Sequence, residues 1–498
     1  MKKRNLVWII IGCVIAGVLA LVLCLDGIVS RLAHKELAKQ LAQMESPYAI
    51  SFDAVFVRLL SGDADITGIT VQDSTLRVAV DRVGVRNISY TQLIKNHRIA
   101  IGRTLVRGVE LHFKDPAFPM VADVYNVSAD VYDLCYNFDD SLFIYNDSVY
   151  SLSLDSAFFI SPDNLHRVQA TYVRTANAGP VELGPVHYQN NITKEEMIEL
   201  MKEPIDWLSV DLKSLKTSPI NIFKNIENSN GLRLDTIHAD VQRFYVYRNT
   251  KYPPKHPYLM PQEPILASPF PFDINYVDAR LNKMDVEVAT EYINGGHLYV
   301  GPIAASVWNI TNRKNAAMTC LVHGTMGQEG IFNAHYRMVN DEDCHFEIDF
   351  AASNLELKNV DSFTKPICAI TAEGRIDSLV TRYKGNRNEA SGDFVMLYNN
   401  MHILVDKNED VPIHFITKNA GLIQSVANTL LPKSNPPAGS NKARRYNTFA
   451  QRDVMQPTPI YMVWPLIDGI KSTLLPGFSM QKKIKTPKPA EHKKTANQ

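Results

Sequence analysis

From Tyr48 to Val405 the dominant pattern is alternation with period two, apolar then polar, with few stretches long enough for a helix. A strand places successive side chains on opposite faces, so this pattern builds sheet with one buried and one solvated face. Ile50 to Leu59, Ala64 to Gln72 and Leu76 to Val85 read as the first strands. In the second of these Ile66, Ile69 and Val71 are the apolar positions, and Gly68 marks a bulge. Further along, Met284, Val286 and Val288 alternate with Asp285 and Glu287, and Asn294-Gly295-Gly296 supplies the positive-φ residues of a hairpin turn. The expected fold is mainly β: an elongated, curved antiparallel sheet with a few short capping helices.

Asp81 to Phe113 reads as a strand, a short helical turn at Tyr90 to Lys95, and a long extended stretch from Ile99. The order recurs from Asp206: a strand through Leu208, Val210 and Leu212, a turn at Pro219 to Lys224, and an extended stretch from Leu232 to Tyr247. Gln92-Leu93-Ile94-Lys95 aligns with Asn221-Ile222-Phe223-Lys224, which points to a degenerate repeat and an elongated body. Lys194 to Glu203 is the clearest helix, opened by a capping box in which Thr193 caps and Glu196 reaches back. Seven prolines between Pro253 and Pro271 forbid ladder pairing, so this is a stiff connector and a domain boundary. Its Tyr252, His256 and Tyr258 offer either a binding surface or an ordered loop.

Ala420 to Leu431 and Ile460 to Leu475 are apolar and helix-like, on either side of a polar linker from Lys433 to Asp453. The second, kinked by Pro465 and Gly469, is too short to span a bilayer. It closes the end of the β body or lies on a membrane interface through Trp464, Leu466, Ile467, Leu474 and Leu475. Gln481 to Gln498 holds six lysines and is expected to be disordered.

Leu6 to Leu25 is an unbroken run of twenty apolar or glycine residues behind Lys2, Lys3 and Arg4. A helix of that length is about 30 Å long, the thickness of a bilayer core. The basic cluster stays cytoplasmic, which sends the remainder across the membrane. A cleaved signal peptide is the rival reading, but Leu21-Val22-Leu23-Cys24-Leu25-Asp26 offers no small-residue cleavage site. Ile28 to Met44, with Leu32, Leu37 and Leu41 among Arg31, Lys35 and Lys39, continues as a helix whose basic residues face headgroups. The chain therefore divides into a basic stub (1–5), a transmembrane helix (6–25), a juxtamembrane helix (26–45), a β domain (46–252), the connector (253–271), a second β domain (272–416), terminal apolar helices (417–480) and a basic tail (481–498).

Lys plus Arg and Asp plus Glu both number 52, which leaves no net field for nucleic acid. Of six cysteines, Cys135, Cys320, Cys344 and Cys368 fall outside the apolar run, at no zinc spacing. In an oxidising compartment Cys320 and Cys344 can pair if their strands are neighbours; buried free thiols are the other reading. No nucleophile elbow, P-loop, zincin or dinucleotide motif is present in its required setting, so neither an enzyme nor a cofactor is expected. Asp341-Glu342-Asp343-Cys344-His345 groups metal-capable side chains where one strand turns into the next, and reads as a solvated turn.

The anchor, then Ser61-Gly62-Asp63-Ala64-Asp65-Ile66-Thr67-Gly68-Ile69, then Ile88-Ser89-Tyr90-Thr91-Gln92-Leu93-Ile94 before Ile99-Ala100-Ile101-Gly102-Arg103, resembles the bacterial AsmA-like proteins over about the first hundred residues. The middle resembles them only in its strand-rich style. The resemblance implies an inner-membrane anchor holding an elongated periplasmic β structure, related to TamB-like and bridge-like lipid-transfer proteins, with phospholipid or another envelope lipid in an apolar groove. Ile66, Ile101, Val109, Leu111, Val286 and Val288 are the groove candidates. The same residues suit the core of a β-sandwich, so the distinction is whether a second sheet covers them. About 25 stacked strands at about 4.8 Å each make a body on the order of 120 Å long. The expected function is lipid binding or transfer in outer-membrane biogenesis or maintenance. The alternative is an anchored scaffold or chaperone for outer-membrane protein assembly, using sheet edges or the proline-rich connector; an anchored hydrolase is a third class.

Overall fold

The computed structural model describes residues 26–43, 46–59, 61–96, 98–114, 120–137, 142–144, 150–177, 179–224, 230–289, 295–368, 370–405 and 432–474. The apolar run Leu6 to Leu25, the segment Ala420 to Leu431, Leu475 and the lysine-rich tail lie outside them. Among the described residues no helix is long and apolar enough to cross a membrane.

Twenty-five strands join one sheet. β1 (Ala49–Ser51) and β2 (Ala54–Arg58) both pair with β3 (Asp63–Gln72), followed by β4 (Leu76–Ile88), β5 (Arg98–Lys114) and β6 (Val121–Asn137). The far side of β6 takes β7 (Leu142–Ile144), β8 (Tyr150–Leu154) and β9 (Ser156–Ile160) end to end. Next come β10 (His166–Ala170) with β11 (Val173–Thr175), then β12 (Pro180–Leu183) with β13 (Val186–Asn190), then β14 (Ile205–Pro219) with β15 (Asn221–Lys224). β16 (Asn230–Asn249) pairs with β14 and β15 on one side and with β17 (Phe272–Ala289) on the other. β18 (Gly296–Val300) and β19 (Ile303–Thr311) share the next place, and β20 (Ala317–Met326), β21 (Gly330–Val339), β22 (Phe346–Glu356), β23 (Ile370–Gly385), β24 (Glu389–Val405) and β25 (Arg445–Gln451) follow in chain order.

Four expectations change here. The sheet is mixed, because β16 and β17 run parallel. The proline-rich connector interrupts the chain without interrupting the sheet: parallel neighbours need a crossover, and residues 250–271 are that crossover. Several strands lie end to end, so the twenty-five occupy roughly eighteen places and the sheet spans on the order of 80 Å, not 120 Å. The aligned turns of the suspected repeat also differ, since Tyr90–Asn96 is helical whereas Asn221–Lys224 is a strand on β16.

A shared bend explains the end-to-end strands. In several strands the apolar positions step by two and then by three: Ile66 to Ile69, Val80 to Val83, Val106 to Val109, Val124 to Val127, Leu212 to Leu215, Val241 to Phe244 and Leu281 to Met284. An extra residue of this kind is a bulge, which bends the strand and sharpens its twist. Gly68 and Gly108 take φ of +62° and +61° there, and a Cβ on Gly68 would lie 1.9 Å from the Asp53 carboxylate. Elsewhere the same step breaks the ladder: Leu154 to Ala157 separates β8 from β9, Ala170 to Val173 separates β10 from β11, Leu183 to Val186 separates β12 from β13, and Val300 to Ile303 separates β18 from β19.

Helices close the two ends. In α1 (Asp26–Gln43) Val29, Ala33, Leu37 and Leu41 recur every four residues and cover Val55, Ile66, Val85, Ile88, Ile99 and Ile101. Leu32 lies outside that stripe and is exposed, because five residues before Leu37 is about 140° out of phase. After the short helices α2 (Tyr90–Asn96), α3 (Lys194–Met201, with the expected capping box), α4 (Gln262–Leu266) and α5 (Asp361–Cys368), the helix α6 (Thr458–Leu474) lies on the other end. Its buried positions are Thr458, Tyr461, Pro465, Gly469 and Thr473. They are mostly small, which lets the helix axis approach until Gly469 meets the Phe394 ring. Leu466, Ile470 and Leu474 flank that contact on Leu379, Phe394 and Met396.

The crossover is pinned to this end. The Arg452 guanidinium donates to Tyr258 O at 2.5 Å, Tyr258 N to Val454 O at 2.8 Å, and Thr458 Oγ1 to Leu259 O at 2.7 Å. Arg387 pairs with Glu263 at 2.6 Å, and Met260 is wholly buried among Cys344, Phe346, Tyr383 and Tyr461. Tyr252 and Tyr258 hydrogen-bond with Glu199 and Arg248, which suits the ordered-loop reading of this segment. A Gly469→Ala change places a methyl 2.2 Å from Phe394, so it is expected to cost about 1–3 kcal/mol in thermal or denaturant unfolding of the full chain.

Candidate functional site

Residues that face each other across a ladder share a face, so the register defines what each face presents. One row of partners runs Val71, Val78, Leu111, Val124, Ala157, Ala170, Val186, Leu212, Val241, Leu281, Ile303, Gly324, Phe332, Ala352, Leu379, Met396. No polar side chain interrupts it from β3 to β24. At about 4.8 Å per strand it extends on the order of 70 Å. A second row beside it runs Leu76, Phe113, Ala122, Phe159, Val168, Tyr188, Val210, Phe244, Met284, Val300.

The residue between these rows on each strand points the other way, and there the partners are Arg77, His112, Asp123, Phe158, Gln169, His187, Asp211, Arg243, Lys283. This face is held by cross-strand polar contacts. His112 Nδ1 lies 3.0 Å from Asp123, His187 Nδ1 lies 2.6 Å from Asp211, and Arg107 reaches Asp130 at 2.7 Å. The buried Asp65 accepts from Arg82 at 2.8 Å and from Arg86 at 2.6 Å. Burial alone would push its carboxyl up, but the hydrogen bonds and charge of the two guanidiniums hold it below the usual aspartate value. At the end of α3, Lys194 and Tyr245 both contact Glu287, with the ammonium 4.3 Å from the Tyr247 ring centroid. Two surface depressions of about 560 Å³ and 480 Å³ also open on the polar face, one among Arg107, Asp130, Arg174, Glu182 and Lys216, the other among His323, His335, Asp349 and Arg382. Their charges pair across strands, as in Lys216 with Glu182 and Arg382 with Asp349.

All six groove candidates lie on the apolar face, in two environments. Val109, Leu111, Val286 and Val288 are half-buried, in the stretch where no second sheet is present among the described residues. Ile66 and Ile101 are buried beneath α1 and belong to the core of the capped end. Between β6 and β20 the large apolar side chains of the first row stay half-buried, and Leu152 on the same face is 37% exposed. At the other end Leu379 and Met396 disappear under α6. Of the interface candidates, Leu466 and Leu474 are turned to the sheet, Ile467 is half-buried, Trp464 is exposed, and Leu475 lies outside the described residues.

Of the two readings open for Cys320 and Cys344, a bridge or free thiols, the structure has free thiols. Cys320 sits mid-strand opposite Tyr336, and Cys344 is buried in the β21–β22 turn under the Arg387 guanidinium. Burial pushes both thiols up. That turn is tied by Asp341, which accepts from His345 N at 3.0 Å and contacts its Nδ1 at 2.7 Å, as a solvated turn requires. Among the described residues no group of three metal-capable side chains converges.

With this geometry in hand the chain defines itself as a single-sheet, mainly β protein with one apolar and one polar face. No family model and no curated protein matches it. Replacing Asp65 by Asn removes charge-assisted bonds and is expected to cost about 2 kcal/mol. Because the folded carboxyl titrates below its unfolded value, this contribution is present above the unfolded value and vanishes as pH falls through the folded one. Denaturant curves of the two proteins should therefore differ at neutral pH and converge in acid.

Proposed function

We propose that this chain is an AsmA-like protein, anchored in the bacterial inner membrane by Leu6 to Leu25, whose apolar sheet face binds acyl chains and conducts lipid between envelope membranes. The observation that carries the reading is the uninterrupted apolar row from Val71 to Met396, half-exposed over its middle and lacking a covering sheet among the described residues. Soluble proteins rarely leave a contiguous apolar patch of this extent in water. A hydrocarbon chain laid on it gains about 0.8 kcal/mol for each methylene removed from water. The face asks for no hydrogen bond and no fixed register from its occupant, which suits acyl chains that slide. The opposite face keeps the body solvated.

A scaffold that captured polypeptide would use the sheet edges, and the edges carry caps. Val57 N donates to Ser30 Oγ of α1, and Phe449 N donates to Asp468 of α6. The crossover, the other suggested docking strip, is engaged with β25 and α6. These contacts favour the lipid reading over the scaffold.

The test places a photoreactive residue in the full-length chain at Leu212 or Leu281 on the apolar row, and at Asp211 or Lys283 on the polar row. After irradiation in cells, mass spectrometry should find lipid adducts at the first pair and none at the second. Adducts absent from Leu212 and Leu281, or equal on both faces, would sink the proposal.

A further inference from the structure

The helix α6 turns Tyr461, Pro465, Gly469, Leu466, Ile470 and Leu474 toward the sheet, and it still carries bulky apolar side chains on its outward face. Ile460, Val463 and Trp464, with Val454 and Met455 just before the helix, are between 37% and 46% exposed. An ordinary amphipathic helix keeps its solvent face polar, so an outward face this apolar calls for another partner. The stretch from Val454 to Lys471 contains one carboxylate, Asp468, and it accepts from Phe449 N at the sheet edge. The Lys471 ammonium sits 4.5 Å from the centroid of the Trp464 ring, an aromatic paired with a cation at the margin of an apolar patch. The chain then continues into Gln481 to Gln498, with six lysines against the single acid Glu491.

We propose that this outward face of α6 docks on the surface of an anionic lipid bilayer, with the lysines that follow it adding electrostatic hold. An apolar patch alone would suit many partners. The combination of Trp464, aliphatic side chains, no free carboxylate and a downstream polybasic run is what an anionic headgroup region rewards. The site lies at the opposite end of the apolar rows from α1, so a chain anchored through its N-terminal run carries a second membrane contact at its far end. This docking does not depend on whether the apolar face carries lipid.

The test reconstitutes the full-length chain in nanodiscs of neutral lipid and mixes it with vesicles of phosphatidylcholine alone or with added phosphatidylglycerol. Flotation should carry the nanodiscs upward with the anionic vesicles only. Val463→Asp with Trp464→Asp should lower capture roughly tenfold or more. Changing Lys482, Lys483 and Lys485 to Gln should lower it on the order of a hundredfold, since each lysine near such a surface is worth about fivefold. Thermal unfolding serves as the folding control for the first variant, whose positions are exposed, and the lysine variant leaves α6 itself unchanged. No capture by either vesicle, or capture unchanged in both variants, overturns the proposal. A dimer dissolved by Val463→Asp without any vesicle capture assigns the face to a second copy and overturns it as well. Lipid adducts at Leu212 are read separately, so either proposal can fail alone.

Discussion

Cross-strand register is the constraint on which everything else rests. A strand slipped by one residue exchanges its faces, and in a single sheet that would push a polar residue such as Asp211 or Asp123 into a row that holds no other polar side chain. The bulges show how tightly this is kept. An extra residue in one strand alone would put the remainder of that strand out of phase, yet neighbouring strands take the same step at the same height or one pair away. Ile69, Val80, Val109 and Val127 therefore stay in line beyond the bend. The parallel β16–β17 pair obeys the same rule, with Val241 beside Leu281 and Phe244 beside Met284. The long crossover is the cost of that pairing, and its anchoring by Arg452, Arg387 and Thr458 ties the middle of the chain to the terminal helix.

The two ends of the apolar face are finished differently because their helices differ. α1 brings a regular stripe of Val29, Ala33 and Leu37 and behaves as an ordinary amphipathic helix on a small core. α6 brings Gly469 and Thr473 inward and leaves aliphatic and aromatic side chains outside. Both helices also use one polar side chain, Ser30 or Asp468, to satisfy an edge N–H. Capping a face and blunting an edge are thus done by the same element. The middle receives neither treatment, and the other face there is tied by cross-strand pairs such as His187 with Asp211.

Local sequence reported strand content, the bulge at Gly68, the capping box at Thr193 and the helices at both ends, because each depends on residues a few positions apart. It failed wherever distant residues decide. Leu32 and Leu466 are as apolar as their neighbours, yet which of them meets the sheet depends on helix phase and placement. Asn221–Lys224 became a strand on the ladder that β16 offers, whereas Tyr90–Asn96 closed into a helix. Cys320 sits mid-strand in β20 and Cys344 in the β21–β22 turn, and both stay free thiols.

The sequence by itself determined that most of this chain forms strands with one apolar and one polar side, since side-chain alternation is a local property of extended backbone. Only the tertiary structure decided that those sides align into continuous rows, that Ile66 and Ile101 lie under a helix while Leu111 and Val286 do not, and that no second sheet covers the middle among the described residues. Which strand lies beside which, at what register, is fixed by pairings between residues far apart in the chain. A pattern of period two reads the same in an open face and in a closed core.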